Sequence, residues 1–482
     1  MTKILKLFFL LALLPLSGTA QDAVGMSVGN YAGIEGSLLN PASIANSKSY
    51  LEINLLSGII FAHNNYLRLV PNDPNGNQNL EVAASIFPFF GGSGLDIVDK
   101  YTTPDKYAFV NTRFTGPSFI YSINRHAFAF HTSFRTFTSG LDIPYDVAKF
   151  AFEGLYFSDQ HFINYIHPEP FEVMSLGWNE LRFSYANTFR KNYREQLTAG
   201  VALKVLLGYH GFYLNSTQAD YMVPHRDTMH IYHLDAVAGY SLPFDYSSND
   251  FFGFRSPVRG FGLAFDLGLT YTKPSLESLR RPSHMRHDET PYIYRVGISL
   301  LDVGYLNFNK HSRRLQFDGI SATWGGLSQI EFISMDDLVD TMSLALTNSL
   351  TGLDDGSGFR MFLPSALSLQ FDYNINGSFY VNAMLLQNIR YATLQVSRPS
   401  YVAVTPRFES NMFGVSMPIT YLATNDLRIG LAIRYLYFTI GTDKLGAYYG
   451  STDYNGFSLY FSVKFNLLKA NYDKAAFECH RD

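Results

Sequence analysis

The sequence predicts an all-β chain: a transmembrane antiparallel β-barrel of about fourteen strands, within a range of about twelve to sixteen, with an N-terminal plug segment and a few short helices in long loops. Three observations lead there. Two-faced segments recur, as in GFSLYFSVKFNLL at 456–468, where Phe457, Leu459, Phe461, Val463, Phe465 and Leu467 oppose Ser458, Tyr460, Ser462, Lys464 and Asn466. Charged residues make up only 16% of the 482, with aromatic residues another 16%, against roughly 25% charged in an ordinary soluble domain. Beyond the first twenty residues, no apolar run approaches the 18 or more of a spanning helix.

Residues 1–20, MTKILKLFFLLALLPLSGTA, carry Lys3 and Lys6, an apolar run from Leu7 to Leu16 and the small-residue stretch Ser17-Gly18-Thr19-Ala20, which is the pattern of a cleaved export signal. No Cys stands at the cut, so no lipid anchor is expected. The single Cys479 lies in the polar tail 470–482 and leaves neither a disulfide framework nor a thiolate metal site. A mildly acidic chain without a basic run argues against nucleic acid as a partner. Residues 21–47, QDAVGMSVGNYAGIEGSLLNPASIANS, are rich in Gly, Ser and Ala and too polar to span. Within them Asn40-Pro41-Ala42 reads as an N-cap followed by Pro at the first helical position.

From 48 to 469 the alternation repeats. Leu181, Phe183, Tyr185 and Phe189 oppose Arg182, Ser184, Ala186, Thr188 and Arg190; Phe261, Leu263, Phe265, Leu267, Leu269 and Tyr271 oppose Gly262, Ala264, Asp266, Gly268 and Thr270. Comparable pairs of faces run through 197–205, 292–300, 367–375, 413–421 and 427–435. A soluble sandwich would put Lys, Glu and Thr on its wet face. Here that parity holds Gly, Ala, Ser and isolated charges, which suit the crowded inside of a barrel, while continuous Leu, Phe and Tyr suit lipid. Closure is then required, because every backbone polar group within a bilayer needs a partner.

Strands are expected at 48–70, 107–124, 127–139, 170–190, 196–214, 229–242, 260–273, 292–309, 313–321, 358–375, 378–392, 401–423, 426–441 and 455–469. Short turns at 122–126, 190–195, 374–377 and 423–426 are expected on the periplasmic side. Longer connections at 71–106, 140–169, 215–228, 274–291, 322–357 and 442–455 are expected outside. The connection 243–259 is long where a turn is expected, while 310–313 is short and polar as expected. Two stretches look helical, Tyr145–Phe157 and Ser334–Leu346, the second with Ser334 and Asp337 at capping-box spacing. Either serves as a lid over the barrel mouth or as a docking surface for a protein partner.

By parity, Arg182, Arg190, Lys204, Asp266, Arg295, Asp372, Arg428, Arg434 and Lys464 point into the lumen, either to satisfy one another and a plug or to guide a polar head group. No cofactor or metal site is expected: His284 and His287 are three apart, and His225, His230 and His233 lack acidic partners at ligand spacing. Lipid hydrolysis would need an adjacent Ser and His on the wall. His131 and Ser133 share one parity and His233 and Asp235 another, a coincidence too common to make the chain an enzyme.

An exported barrel that opens with a small-residue segment containing Asn40-Pro41-Ala42-Ser43-Ile44-Ala45 resembles the FadL-type family of outer-membrane transport proteins. It is similar also to FadL-like and PorV- or PorP-like barrels of Bacteroidetes, including a branch known only by its domain of unknown function, as is the glycine-rich Gly260–Gly268. The resemblance implies that residues 21–47 form a hatch, with Asn40, Pro41 and Ala42 at its turn, inside an outer-membrane barrel of a Gram-negative bacterium. It implies passive, hatch-gated uptake of a hydrophobic or amphipathic small molecule. The PorV- and PorP-like side implies instead a non-transporting anchor or scaffold in a secretion or surface-attachment assembly, with outer-membrane lipid and a protein partner at the outer loops. The 322–357 insertion and the polar C-terminus depart from the family pattern.

Overall fold

The computed structural model describes residues 23–47, 49–71, 95–99, 105–192, 194–248, 258–275, 292–327, 334–448 and 456–468. The leader, the tail with Cys479, and His284 and His287 lie outside these residues.

The strands form one closed antiparallel sheet of fourteen spans. They are β1 (Ser49–Asn64), β2 (Lys106–Thr115 and Ser118–Ile123), β3 (His126–Ile143), β4 (Phe171–Lys191) and β5 (Gln196–His225). Next come β6 (Thr228–Ser241 and Gly260–Pro274), β7 (Tyr292–Phe308 and Ser312–Gly325) and β8 (Asp354–Gly356, Phe359–Phe362 and Ala366–Asn374). The rest are β9 (Phe379–Asn388), β10 (Tyr401–Glu409), β11 (Phe413–Ser416 and Ile419–Leu422), β12 (Asp426–Ile429 and Leu431–Tyr435), β13 (Phe438–Thr442) and β14 (Gly456–Leu468). Pairing of β1 with β14, from Ser49 opposite Leu468 to His63 opposite Gly456, closes the ring. Four helical turns matter here: α1 (Val24–Ser27) and α2 (Ile34–Ser37) inside the barrel, α3 (Tyr145–Glu153) and α4 (Met335–Thr347) in the loops.

The strand number agrees with the sequence expectation through compensating differences. Segments 229–242 and 260–273 are one span, because the two halves of β6 pair successively with the upper and lower halves of β5. Likewise 292–309 and 313–321 are one span, β7, which faces both halves of β6. Conversely, 401–423 is a hairpin turning at 410–412, where Ser410 Oγ accepts the Phe413 amide at 3.0 Å. The segment 426–441 is a second hairpin, turning at Leu436-Tyr437 with Leu436 at φ 51°. Neither turn carries Gly or Pro; Ser410-Asn411 marks the first by composition, and nothing marks Leu436-Tyr437. The missed turns also move two connections. Ala423–Asn425 lies at the end of the long loops, and 274–291 departs from the end of the short turns, where Pro274 pairs with Tyr292.

Outward residues form a lipid-like belt: on β6, Phe261, Leu263, Leu267 and Leu269 are 46–54% exposed while Asp266 between them is 0% exposed. β5 has 30 residues, against the 9–11 or so that a tilted strand needs to cross a bilayer, so β5 to β7 stand as a sheet above the rim. The helix α3 packs there through Phe150 against Tyr165 and Tyr221, and α4 starts at Ser334, whose hydroxyl accepts the Asp337 amide at 3.1 Å.

One seam interrupts the wall. β13 has only five residues, pairing with Leu431–Tyr435 on one side and with Tyr460–Val463 on the other. Towards the loop end, Asp426–Ile429 of β12 and the start of β14 have no strand between them among the described residues. Asp443, Lys444 and the 3-10 turn Leu445–Tyr448 take its place.

Candidate functional site

Residues 23–47 lie inside the barrel. Asn40 has extended backbone and its Oδ1 accepts the Ala42 amide at 2.9 Å, with Pro41 opening a 3-10 turn to Asn46. Outward, Asn40 Nδ2 donates to Leu269 O at 3.3 Å and Ser299 Oγ to Leu39 O at 2.5 Å. Three wall glycines make room for this turn. A Cβ on Gly200 would sit 2.4 Å from the Ala42 nitrogen, one on Gly268 2.2 Å from Asn40 Oδ1 and one on Gly297 2.9 Å from Asn40 Nδ2. Gly268 of β6, with Gly200 of β5 and Gly297 of β7, therefore forms a groove for Asn-Pro-Ala. Elsewhere the segment is held by charge: Glu35 by Arg113 at 3.0 Å and by Ser57 at 2.5 Å, the Ile34 amide by Glu52 at 2.7 Å, and the Ala32 carbonyl by Lys464 Nζ at 2.8 Å.

β4 shows the layering of the lumen along a single parity. From loop end to turn end its buried residues are Met174, Leu176 and Trp178, then Glu180 and Arg182, then Ser184, Ala186 and Thr188. These are an apolar layer, a charged layer and a small-residue layer.

In the charged layer, Arg182 reaches Asp266 at 2.9 Å, Lys204 reaches Asp266 at 2.6 Å and Asp302 at 2.5 Å, and Arg135 reaches Asp302 at 2.9 Å and Glu180 at 3.0 Å. Arg398, from the inward-dipping segment 389–400, reaches Asp302 at 3.4 Å. Four cations face three carboxylates, none more than 5% exposed. Arg182 also ties the layer to the hatch by donating to the Ser37 carbonyl at 2.7 Å. Buried charges are tolerable only when so paired.

The other expected lumen residues scatter. Asp372 is clasped by Arg407, which also binds Glu409 at 2.7 Å, and Glu409 accepts from Asn30 Nδ2 at 2.7 Å. Arg434 lies over the Tyr31 ring at 4.0 Å and Arg295, half-buried, over Tyr292 at 4.3 Å. Arg428 is buried beside the seam, with Nε 2.8 Å from Asp426. Arg190 does not enter the lumen. A bulge between Thr188 and Arg190 shifts the parity, and Arg190 pairs with Glu195 in the turn with 59% of its side chain exposed. Sequence reasoning missed Glu35, Glu52, Arg113, Arg135, Glu180, Asp302, Arg398, Arg407 and Glu409. Glu180 was within reach, since it continues the parity of Arg182.

The apolar layer joins Phe137, Met174, Trp178, Leu206, Tyr213, Phe308, Phe359 and Met361 with Val396 from the same inward segment as Arg398. Under α3 lies a mostly apolar cavity of about 210 Å³, lined by Val147, Phe150, Ala219, Tyr221, Met229, Ile231 and Leu234 with Asp220 and His233. Burial, reinforced by the Asp146 carboxylate to which it donates, pushes the Tyr221 hydroxyl well above its usual pKa. The two cavities touching residues 23–47 are smaller, about 60 Å³ and about 40 Å³, and mixed in lining: Asn40, Arg295 and Asn382 beside Val28 and Ala32 in the first, Glu409, Arg434 and Lys464 beside Met26, Val28 and Phe408 in the second.

His131 does not meet Ser133. Its Nε2 is 3.3 Å from Ser37 Oγ, a hydroxyl that donates to the Ile34 carbonyl at 2.7 Å. His233 pairs with Asp235 at 2.9 Å on the surface. Among the described residues no group of three or more His, Cys, Asp or Glu is placed to hold a metal ion.

A family model described as "Family of unknown function (DUF5723)" matches residues 41–443. No curated protein matches. Similar solved structures include the toluene transporter TodX of P. putida (TM-score 0.40, 10% identity, 94% of this chain and 97% of that one). A TodX deltaS2S3 mutant, titled a monoaromatic hydrocarbon channel, gives TM-score 0.43 at 10% identity over 91% and 95% of the two chains. A Pseudomonas aeruginosa FadL homologue gives 0.42 at 13% identity over 94% and 99%.

Proposed function

This chain belongs to the family of unknown function DUF5723, and from that premise we propose that it is an outer-membrane barrel that admits a small hydrophobic molecule, with residues 21–47 as its hatch. Residues 1–20 would be the removed export signal, and the apolar belt would face lipid. One observation carries the reading: a mostly apolar cavity of about 210 Å³ lies under α3, among the strand ends that project beyond the rim. Cavities of roughly 150 Å³ lined by apolar side chains stay dry and bind benzene-sized molecules. The charged layer below is a poor path for such a molecule, because passage would strip or separate paired charges.

The test is binding of a benzene-ring probe such as toluene to the purified protein, followed by vesicle uptake. Binding lost in Ala219→Phe, which fills the cavity, and uptake faster in a form lacking residues 21–47 are the expected results. No saturable binding in the natural chain overturns the reading.

A second reading, an anchor or scaffold subunit, is favoured by the tightness of the hatch seat, since the cavities reaching it hold only about 60 and 40 Å³. Phe162 and Ile166, 75% and 69% exposed on the projecting sheet, would then meet a protein partner. Co-purification of one stoichiometric partner, lost in Ile166→Asp, would favour it.

A further inference from the structure

The seam holds a cation whose surroundings do not complete it. Arg428 is 1% exposed, yet both of its terminal nitrogens, Nη1 and Nη2, lack a hydrogen-bond partner. Only Nε is engaged, by Asp426 at 2.8 Å, and the guanidinium lies 5.1 Å from the Phe61 ring. Asp426 is shared three ways: Lys444 Nζ stands 3.8 Å from the same carboxylate oxygen and His63 Nδ1 3.9 Å. The next carboxylate, Asp443, is committed elsewhere, accepting from the Val24 amide at 3.3 Å and from the Tyr460 hydroxyl at 3.0 Å. Tyr107, the remaining titratable neighbour, places its hydroxyl 3.3 Å from His63 Nε2. Buried donors without acceptors are rare and call for an occupant. Two parallel guanidinium N–H groups form a fork that matches the oxygens of a phosphate.

The position narrows the chemistry of that occupant further than charge alone. Asp426 directly follows the turn Ala423–Asn425, and His63, one residue from the end of β1, lies 3.1 Å from Thr424. The site is therefore at the rim, where a wall standing in a bilayer meets head groups, and beside the place where, among the described residues, no strand separates the loop end of β12 from β14. We infer that this corner of the seam is a phosphate site, filled by the phosphate of an outer-leaflet lipid or by free phosphate, with Arg428 as the fork and Lys444 as the second cation. The inference rests on the membrane reading of the wall but not on transport.

The experiment uses the whole mature protein in a neutral detergent, titrated with dodecyl phosphate, dodecanol and inorganic phosphate and followed by native mass spectrometry and thermal unfolding. Expected is one dodecyl phosphate per chain, bound at least about tenfold more tightly than dodecanol, with a raised unfolding midpoint. Arg428→Gln abolishes the preference and the midpoint shift, whereas Arg428→Lys keeps part of both because the charge remains while the fork is lost. Inorganic phosphate competing as well as dodecyl phosphate assigns the site to the free ion; dodecyl phosphate alone assigns it to lipid. Heat-dependent gel migration shows that each variant is a folded barrel. Equal binding of dodecanol and dodecyl phosphate, or a preference that survives in Arg428→Gln, overturns the proposal. Toluene binding measured on the same preparations tells that failure apart from failure of the transport reading.

Discussion

The two halves of the lumen are built on different chemistry. Towards the turn end, residues 23–47 meet the wall through glycines, ion pairs and backbone hydrogen bonds, and the residual spaces are small and mixed in lining. Towards the loop end, the same strands carry Phe, Trp, Met and Leu, and the cavity under α3 is larger and mostly apolar. Both chemistries run along one parity of β4, where Trp178 donates to Glu180 at 3.2 Å across the boundary. On the proposed reading a hydrophobic molecule would stay in the upper half, with the charged layer as its floor.

The largest expected effect comes from breaking that floor. Asp302→Ala strips the shared carboxylate from Arg135, Lys204 and Arg398, and removing one member of a buried ion cluster costs about 3–5 kcal/mol. A denaturant midpoint unchanged within error would refute the floor as a structural layer. Next is the hatch seat: Gly268→Val drives side-chain atoms into Asn40 and Pro41 and should cost about 1–3 kcal/mol by overpacking. Protease cleavage within residues 23–47 of the folded barrel should then accelerate, and unchanged protection would count against the groove. In the upper half, Ala219→Phe should lower toluene affinity at least about tenfold, roughly 1.4 kcal/mol, with little change in unfolding. An equal loss in Gly268→Val would erase the distinction between the halves. The smallest effect is Asn40→Ala, about 1 kcal/mol for a lost N-cap. It should be absent when the hatch has been deleted, as comparison of unfolding midpoints in the two backgrounds would show.

Much of the wall was legible because lipid and lumen impose opposite demands on alternate residues; β6 obeys that rule at every position from Gly260 to Thr270. Misreadings arose where local chemistry gives no sign. Leu436 turns the chain with an apolar side chain, and the bulge beside Arg190 flips one parity without a glycine. The site was legible only in part. Arg182, Lys204 and Asp266 follow from alternation, but their partner Asp302 sits at φ 55°, where strand parity is interrupted. Arg398 comes from a segment that no periodicity marks as inward. Glu35 meets Arg113 across 78 residues of sequence, a pairing that no local pattern contains.

The first described residues of the hatch are fastened to the last strands of the wall. Lys464 of β14 binds the carbonyl of Ala32 across 432 residues of chain, and Asp443 binds the amide of Val24 across 419. Residues 23–47 therefore have no complete seat until β14 has been made and the ring has shut. Contacts of such separation form slowly, so sealing of the lumen and joining of the sheet edges belong to one late event in assembly, and a nascent chain arrested before β14 would leave its hatch unmoored.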